Sequence, residues 1–311
     1  MIVFNKIKEY SSLDDILNMD NSYLIYGKYV DDRGKEIVSY LTNIYTSNIQ
    51  IEYKNTIDSF LLNSDKVVKR LEIVKMFEDI AKSFDYIIIE STTLGYCDIL
   101  LMLFTINMLK NKIKIKVYYA EPIKYKSNKD NNDSDIYELS EEYSNHKYIK
   151  PFILPNPHDS TSDEQATLIT LIGFEENRMG RVLNDSENKY DHLVSVFPIP
   201  GFKFGWENIS LSKHYYFLEK KEDIYYAPAD NPYETFKMLN KIVLNIPNKR
   251  VIILPIGTKP SSIGAAIFLI NEKERNKASR IATKYDFPIK KSGRSIGIDK
   301  IYEYELFLRY E

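Results

Sequence analysis

Four stretches of the chain combine residue types that could do chemistry. The first is Val251 to Leu269, VIILPIGTKPSSIGAAIFL. Its apolar run ends at Gly257, where a glycine lets the backbone turn sharply and approach a ligand. Thr258 and Lys259 follow, then Pro260, a residue favoured at the start of a helix, with Ser261 and Ser262. The free N–H groups and the dipole of a helix start attract an anion. Lys259 adds a full positive charge and the three hydroxyls add donors. The pattern reads as a phosphate or nucleotide loop; the alternative is a well-capped helix with a surface lysine. It is not a Walker A motif, which needs a longer glycine loop ending in Gly-Lys-Ser/Thr.

The other three stretches are less specific. In Gly173-Phe174-Glu175-Glu176-Asn177-Arg178, Glu175 and Arg178 stand at a predicted strand–helix junction. Paired carboxylates could bind a metal or act as acid and base. Glu175 and Arg178, three apart, could equally pair with each other. Phe197 to Trp206 is aromatic and punctuated by Pro and Gly, and Lys203 within it could help stack a base. The other reading of that segment is a packed loop or an interface. Lys290 to Lys300 is a basic loop in which Arg294, folded back near Gly257, could clamp phosphates. Its plain reading is a solvated charged loop.

Strands and helices must position these residues. Short apolar runs alternate with helical spacing: strands at 23–27, 49–53, 86–89 and 113–119, with helices at 34–46, 67–83 and 98–111 between them. The alternation resumes with strands at 166–174, 193–199, 224–227, 251–256 and 301–308 and helices at 175–184, 206–220, 232–244 and 260–271. Ile87-Ile88-Ile89 is the mark of a strand buried on both faces. Such alternation implies mostly parallel sheets with helices on both faces. The expected organisation is two Rossmann-like α/β halves, 1–124 and 166–311, joined by polar loops and a connecting segment over 125–165. Ligands of open parallel sheets bind outside the carboxyl ends of the strands. That rule adds Ser91, Thr92 and Thr93, which follow the run ending at Glu90, to the candidate list.

The strand ending in Gly257-Thr258-Lys259, with its small-residue run and Ala-rich helix, resembles the late motif of CARF-type Rossmann domains. The hydroxyl-rich end at Ser91-Thr92-Thr93 corresponds to the strand ends such domains use. The resemblance is confined to these two segments. It implies a sensor of cyclic oligonucleotides in prokaryotic antiviral defence. The chain departs from the pattern at Pro260, where a Lys-Met type sequence is common. It also has no Arg-x-x-x-x-His nuclease motif; Arg178 to Arg181 has no histidine.

Composition narrows the classes. The 311 residues carry 42 Lys and Arg against 44 Asp and Glu, a net charge of −2, which argues against a general duplex-DNA binder. Cys97 is the only cysteine, which excludes a disulfide within the chain and disfavours a Cys-based zinc site. Its place before an apolar run reads as core. His146, His158, His192 and His214 stand in no metal-binding spacing, and no metal site or cofactor is read. There is no Gly-x-Gly-x-x-Gly after the first strand, which disfavours dinucleotide redox chemistry. Glu52-x-Lys54 is a weak match to a nuclease strand. Residues 1–10 have no signal-peptide core, and Ile99 to Met108 is too short to span a bilayer. The chain is therefore expected in the cytoplasm and off the membrane. The leading expectation is a sensor or subunit that binds an anionic small molecule of the nucleotide class. The alternatives are a nucleotide-processing hydrolase or transferase, which needs a carboxylate such as Glu90, Glu121 or Glu175 near Lys259, or a scaffold that binds a protein partner or a second copy of itself.

Overall fold

The computed structural model describes residues 1–109, 113–126, 137–154, 166–184, 190–218, 222–246, 250–277 and 279–309. The chain divides into two compact units: residues 1–126 with 290–311, and residues 127–289. The expected loop at 156–164 and His158 lie outside the described residues, as does most of the loop at 124–134. No described helix is long and apolar enough to cross a membrane.

The first unit holds β1 (Ile2–Tyr10), β2 (Ser22–Tyr26), α1 (Asp32–Ile44), β3 (Asn48–Lys54), β4 (Ser59–Leu62), β5 (Lys66–Lys69), α2 (Arg70–Ser83), β6 (Tyr86–Glu90), α3 (Tyr96–Met108) and β7 (Lys114–Tyr125). The second holds β8 (Ser140–Glu142), β9 (Lys147–Tyr148), β10 (Ala166–Leu171), α4 (Glu176–Leu183), β11 (Tyr190–Pro198), α5 (Trp206–Leu218), β12 (Glu222–Ala227), α6 (Pro232–Asn245), β13 (Val251–Pro255), α7 (Lys259–Arg275) and β14 (Ile281–Tyr285). Then β15 (Ile289–Lys290) marks the junction, and β16 (Ser295–Leu308) returns to the first unit.

The sheet of the first unit runs β1-β16-β7-β6-β2-β3-β4-β5. Only β7, β6, β2 and β3 are parallel neighbours; the flanking strands pair antiparallel. The sheet is therefore mixed, where a mostly parallel one was expected. Two segments account for the difference. Residues 67–69, read as the start of a helix, close a β4–β5 hairpin through Asn63 and Ser64, both at positive φ. The β-branched Val67 and Val68 fit a strand better than a helix, and α2 starts only at Arg70. Residues 295–300, read as a basic loop, begin β16. An irregularity between Ile298 and Ile301, with Gly297 at φ +59°, hides the strand period. The last strand, expected in the C-terminal half, lies between β1 and β7 of the first unit.

The sheet of the second unit runs β12-β11-β10-β13-β14-β9, with five parallel strands and β9 antiparallel at the edge. The Ile- and Val-rich runs of β6 and β13 are fully buried, as strands covered on both faces must be. In the first unit α1 sets Ile37 and Leu41 against Leu24, Ile88, Tyr118, Ala120 and Ile301. In the second, α4 sets Met179 and Val182 against Leu168, Ile252, Leu254 and Ala282. Burying each such side chain contributes about 1.5–3 kcal/mol. These clusters fix the heights at which the strand ends emerge.

Candidate functional site

Each parallel set has one place where the strand order reverses. In the first unit the chain steps from β2 to β3 on one side, then crosses to β6 and β7 on the other. In the second it steps from β10 to β11 and β12, then crosses to β13 and β14. Crevices form at such points, outside the carboxyl ends of the strands. The candidate residues from the sequence fall at these two edges, one group in each unit.

In the second unit the reversal lies between Gly173 and Gly257. A Cβ on Gly173 would stand 2.5 Å from the Ile256 carbonyl oxygen, and one on Gly257 would stand 2.6 Å from that of Ile172. Glycine here lets two backbones meet, a role the sequence had assigned to ligand approach. Thr258 caps α7: its Oγ1 accepts from the Ser261 amide at 3.2 Å and donates to the Ala229 carbonyl at 2.8 Å. Ser261 and Ser262 both donate to the Thr258 carbonyl, at 2.7 and 3.1 Å. All three hydroxyls thus make hydrogen bonds within the loop. Lys259 opens α7 and is half-buried. Gly264 packs against α6 rather than the sheet, since a Cβ there would stand 2.4 Å from the Pro232 carbonyl oxygen.

The same edge is stitched across the strand ends. The Ala229 amide donates to the Pro200 carbonyl at 3.0 Å, and the Ala229 carbonyl accepts from Thr258. Beside this seam lies a small cleft, about the size of one water, lined by residues that include Ile172, Phe197, Pro228, Thr235 and Ser261. Thr235 is buried there, and its Oγ1 has no hydrogen-bond partner among the described residues. The narrow part of the cleft suits an ordered water on that hydroxyl. Lys203 sits in the loop between β11 and α5, its carbonyl accepting from the Trp206 amide at 3.0 Å. Trp206 packs edge-on to Phe174, which stacks on Tyr137. Phe204 is fully exposed.

Glu175 and Arg178 take the structural alternative. Glu175 accepts from the Leu139 amide, the Ser140 hydroxyl and the Tyr143 phenol. Arg178 donates to both oxygens of the buried Asp286 at 2.7 and 2.6 Å and lies 3.6 Å from Glu175. Burial opposes the Arg178 charge, but Asp286 outweighs it and holds the guanidinium protonated. The group fastens α4 to the end of β14. His214, on α5, is buried and neutral: desolvation lowers its pKa to about 4. Its Nδ1 lies 2.9 Å from the Ser210 carbonyl, and the Ser210 hydroxyl donates to the Gly173 carbonyl at 3.1 Å. α5 is thereby tied to the reversal point. Sequence reasoning missed Asp286, Tyr143 and Ser210, because none stands in a recognisable motif.

In the first unit the reversal lies between Gly27 and Ser91–Thr93. The Gly27 amide donates to Thr93 Oγ1 at 2.8 Å, and a Cβ on Gly27 would stand 2.8 Å from the Thr93 carbonyl. Glu90 accepts from the Thr92 and Thr93 amides and from the Thr93 hydroxyl. Ser91 donates to the Tyr118 carbonyl, and Thr92 accepts from the Ala120 amide. The hydroxyls expected to meet a ligand make hydrogen bonds within the unit. Arg294, expected to fold back near Gly257, has its Nε 3.8 Å from Asp31 in the first unit. Asp31 caps α1 through the Gly34 amide. Burial opposes its ionisation, but Arg33, the Ser295 hydroxyl, the Gly34 amide and Arg294 hold the carboxyl below its ordinary range. Lys290 donates to the Thr93 carbonyl at 2.7 Å. Burial, aided by Arg294 and opposed by Asp98, Glu90 and Asp31, pushes its ammonium down to about 8. Glu121 accepts from Tyr302, and Glu52 pairs with Lys54 at 2.5 Å.

No protein-family model matches the chain, and no curated protein matches it in sequence.

Proposed function

We propose that the protein binds an anionic small molecule of the nucleotide class at the carboxyl edge of its second unit, as a CARF-like sensor or subunit in a prokaryotic antiviral defence system. The second unit then acts as a Rossmann-like ligand domain and the first as a related half. The observation that carries this reading is the reversal point between β10 and β13, where α7 begins at Lys259. An anion there meets the helix dipole and the Lys259 ammonium. The flanking aromatic group at Phe174 and Trp206 offers a face for a base. Sensing is favoured over turnover because Glu90, Glu121 and Glu175 are all engaged by protein donors.

The test is thermal unfolding of the whole chain against nucleotides, cyclic oligonucleotides and inorganic phosphate, with Lys259→Ala in parallel. A ligand that raises Tm of the wild type, raises it less in the variant, and is recovered unchanged supports the reading. Turnover of that ligand would replace sensor by enzyme, and no stabilisation by any of them would remove the ligand site.

A further inference from the structure

We propose that residues Lys290 to Ser295 form a latch that closes the carboxyl edge of the first unit and opens without unfolding it. This goes beyond the proposed ligand site, which lies in the other unit. The segment passes over the point where the strand order reverses between β2 and β6. Its side-chain fastenings are polar. Lys290 Nζ donates to the carbonyls of Thr93 at 2.7 Å and Leu94 at 3.4 Å. The Gly293 amide donates to the Val30 carbonyl at 2.7 Å. The Ser295 hydroxyl donates to Asp31 Oδ2 at 2.5 Å, and Arg294 Nε stands 3.8 Å from the same oxygen. The Arg294 carbonyl accepts from the Lys126 amide at 3.0 Å.

These contacts bind both loops at the reversal point, 27–31 and 91–95, to one strip of chain. The strip itself, Lys-Lys-Ser-Gly-Arg, puts no residue into the apolar core; Ser292 is exposed and its neighbours half-buried. Segments held this way sit at the low end of local stability and open separately from the strands beneath. Gly293, at φ +63°, supplies a pivot. Ser295, fully buried at the start of β16, anchors the far end. The strip's partners Asp31 and Leu94 stand at the starts of α1 and α3, and two residues past Asp31 is the buried Arg33, whose Nε has no hydrogen-bond partner among the described residues. Opening the latch exposes these groups to solvent and to any anion in it.

Hydrogen exchange on the whole protein tests the latch, with Lys290→Met and Ser295→Ala as variants. Each variant removes the hydrogen bonds of one side chain and keeps the chain length. The expected result is exchange about tenfold faster at the Gly293 and Lys126 amides, with Leu24, Ile25 and Ile88 in β2 and β6 unchanged. Unchanged rates at Gly293 and Lys126 in both variants would overturn the proposal. So would an equal acceleration in β2 and β6, since the strip would then be part of the fold rather than a latch upon it. No ligand is involved, so the result is independent of the fate of the proposed binding site.

Discussion

The two units solve the same topological problem and finish it differently. Each brings two parallel strands side by side where the order reverses, and each uses glycine to let the strand ends touch: Gly27 against Thr93, and Gly173 against Ile256. In the first unit the loops beyond are then crossed by Lys290–Ser295 and fastened through Asp31, Val30, Thr93 and Leu94. In the second unit the loops are joined side by side through Pro200, Ala229 and Thr258, and a water-sized cleft lies beside Thr235. A reversal point makes a crevice available; the loops decide whether a ligand can reach it.

The largest effect that should separate the units comes from the buried Arg178–Asp286 pair. Asp286→Ala leaves the buried guanidinium charged, without its bidentate partner and with only the more distant Glu175, which costs about 3–5 kcal/mol. Hydrogen exchange should show lost protection in β10, β13 and β14, with β2 and β6 retained. Loss in both units together would mean that they unfold as one.

Next comes acid. His214 has a pKa lowered to about 4 by burial, against an ordinary value of 6.5. Above pH 6.5 it is neutral in both folded and unfolded chains. As pH falls from 6.5 to 4 the unfolded chain takes up the proton first, so stability declines by up to ~3 kcal/mol. Urea unfolding of wild type and His214→Asn across that window checks this; the variant should show the shallower decline.

Smaller still is the glycine effect. A methyl at Gly27 or Gly257 meets backbone rather than a flexible side chain, so Gly27→Ala and Gly257→Ala should each cost about 1–3 kcal/mol by overpacking. Calorimetric scans that found Gly257→Ala neutral would show that the second edge yields more readily than the first.

The alternation of apolar runs and helical spacing was enough to place β2, α1, β3, β6, α3, β10 to β13 and α4 to α7 within a few residues. It failed where local patterns competed. Val67-Val68 extended a helical period backwards into a hairpin, and Gly293 and Gly297 broke up the approach to β16. β1 is a largely unburied strand whose pairing depends on β16 at the far end of the chain, and β14 is a buried strand of only five residues with too short an apolar run to read. The site was legible as strand ends but not as chemistry. Hydroxyls at Ser91–Thr93 and Thr258–Ser262 look alike in sequence whether they face a ligand or a carbonyl, and all of them make hydrogen bonds within the chain. Asp286 carried no signal because its partner Arg178 is distant in sequence.

The most direct measurement is hydrogen exchange of the whole chain with and without a nucleotide that raises its Tm, mapped onto the two edges. The expected result is new protection confined to 257–262 and the neighbouring 173–175 loop, lost in Lys259→Ala, with 27–34 and 91–98 unchanged. Protection appearing instead at 91–98 would contradict the assignment of the open edge, and would place the ligand beneath the latch of the first unit.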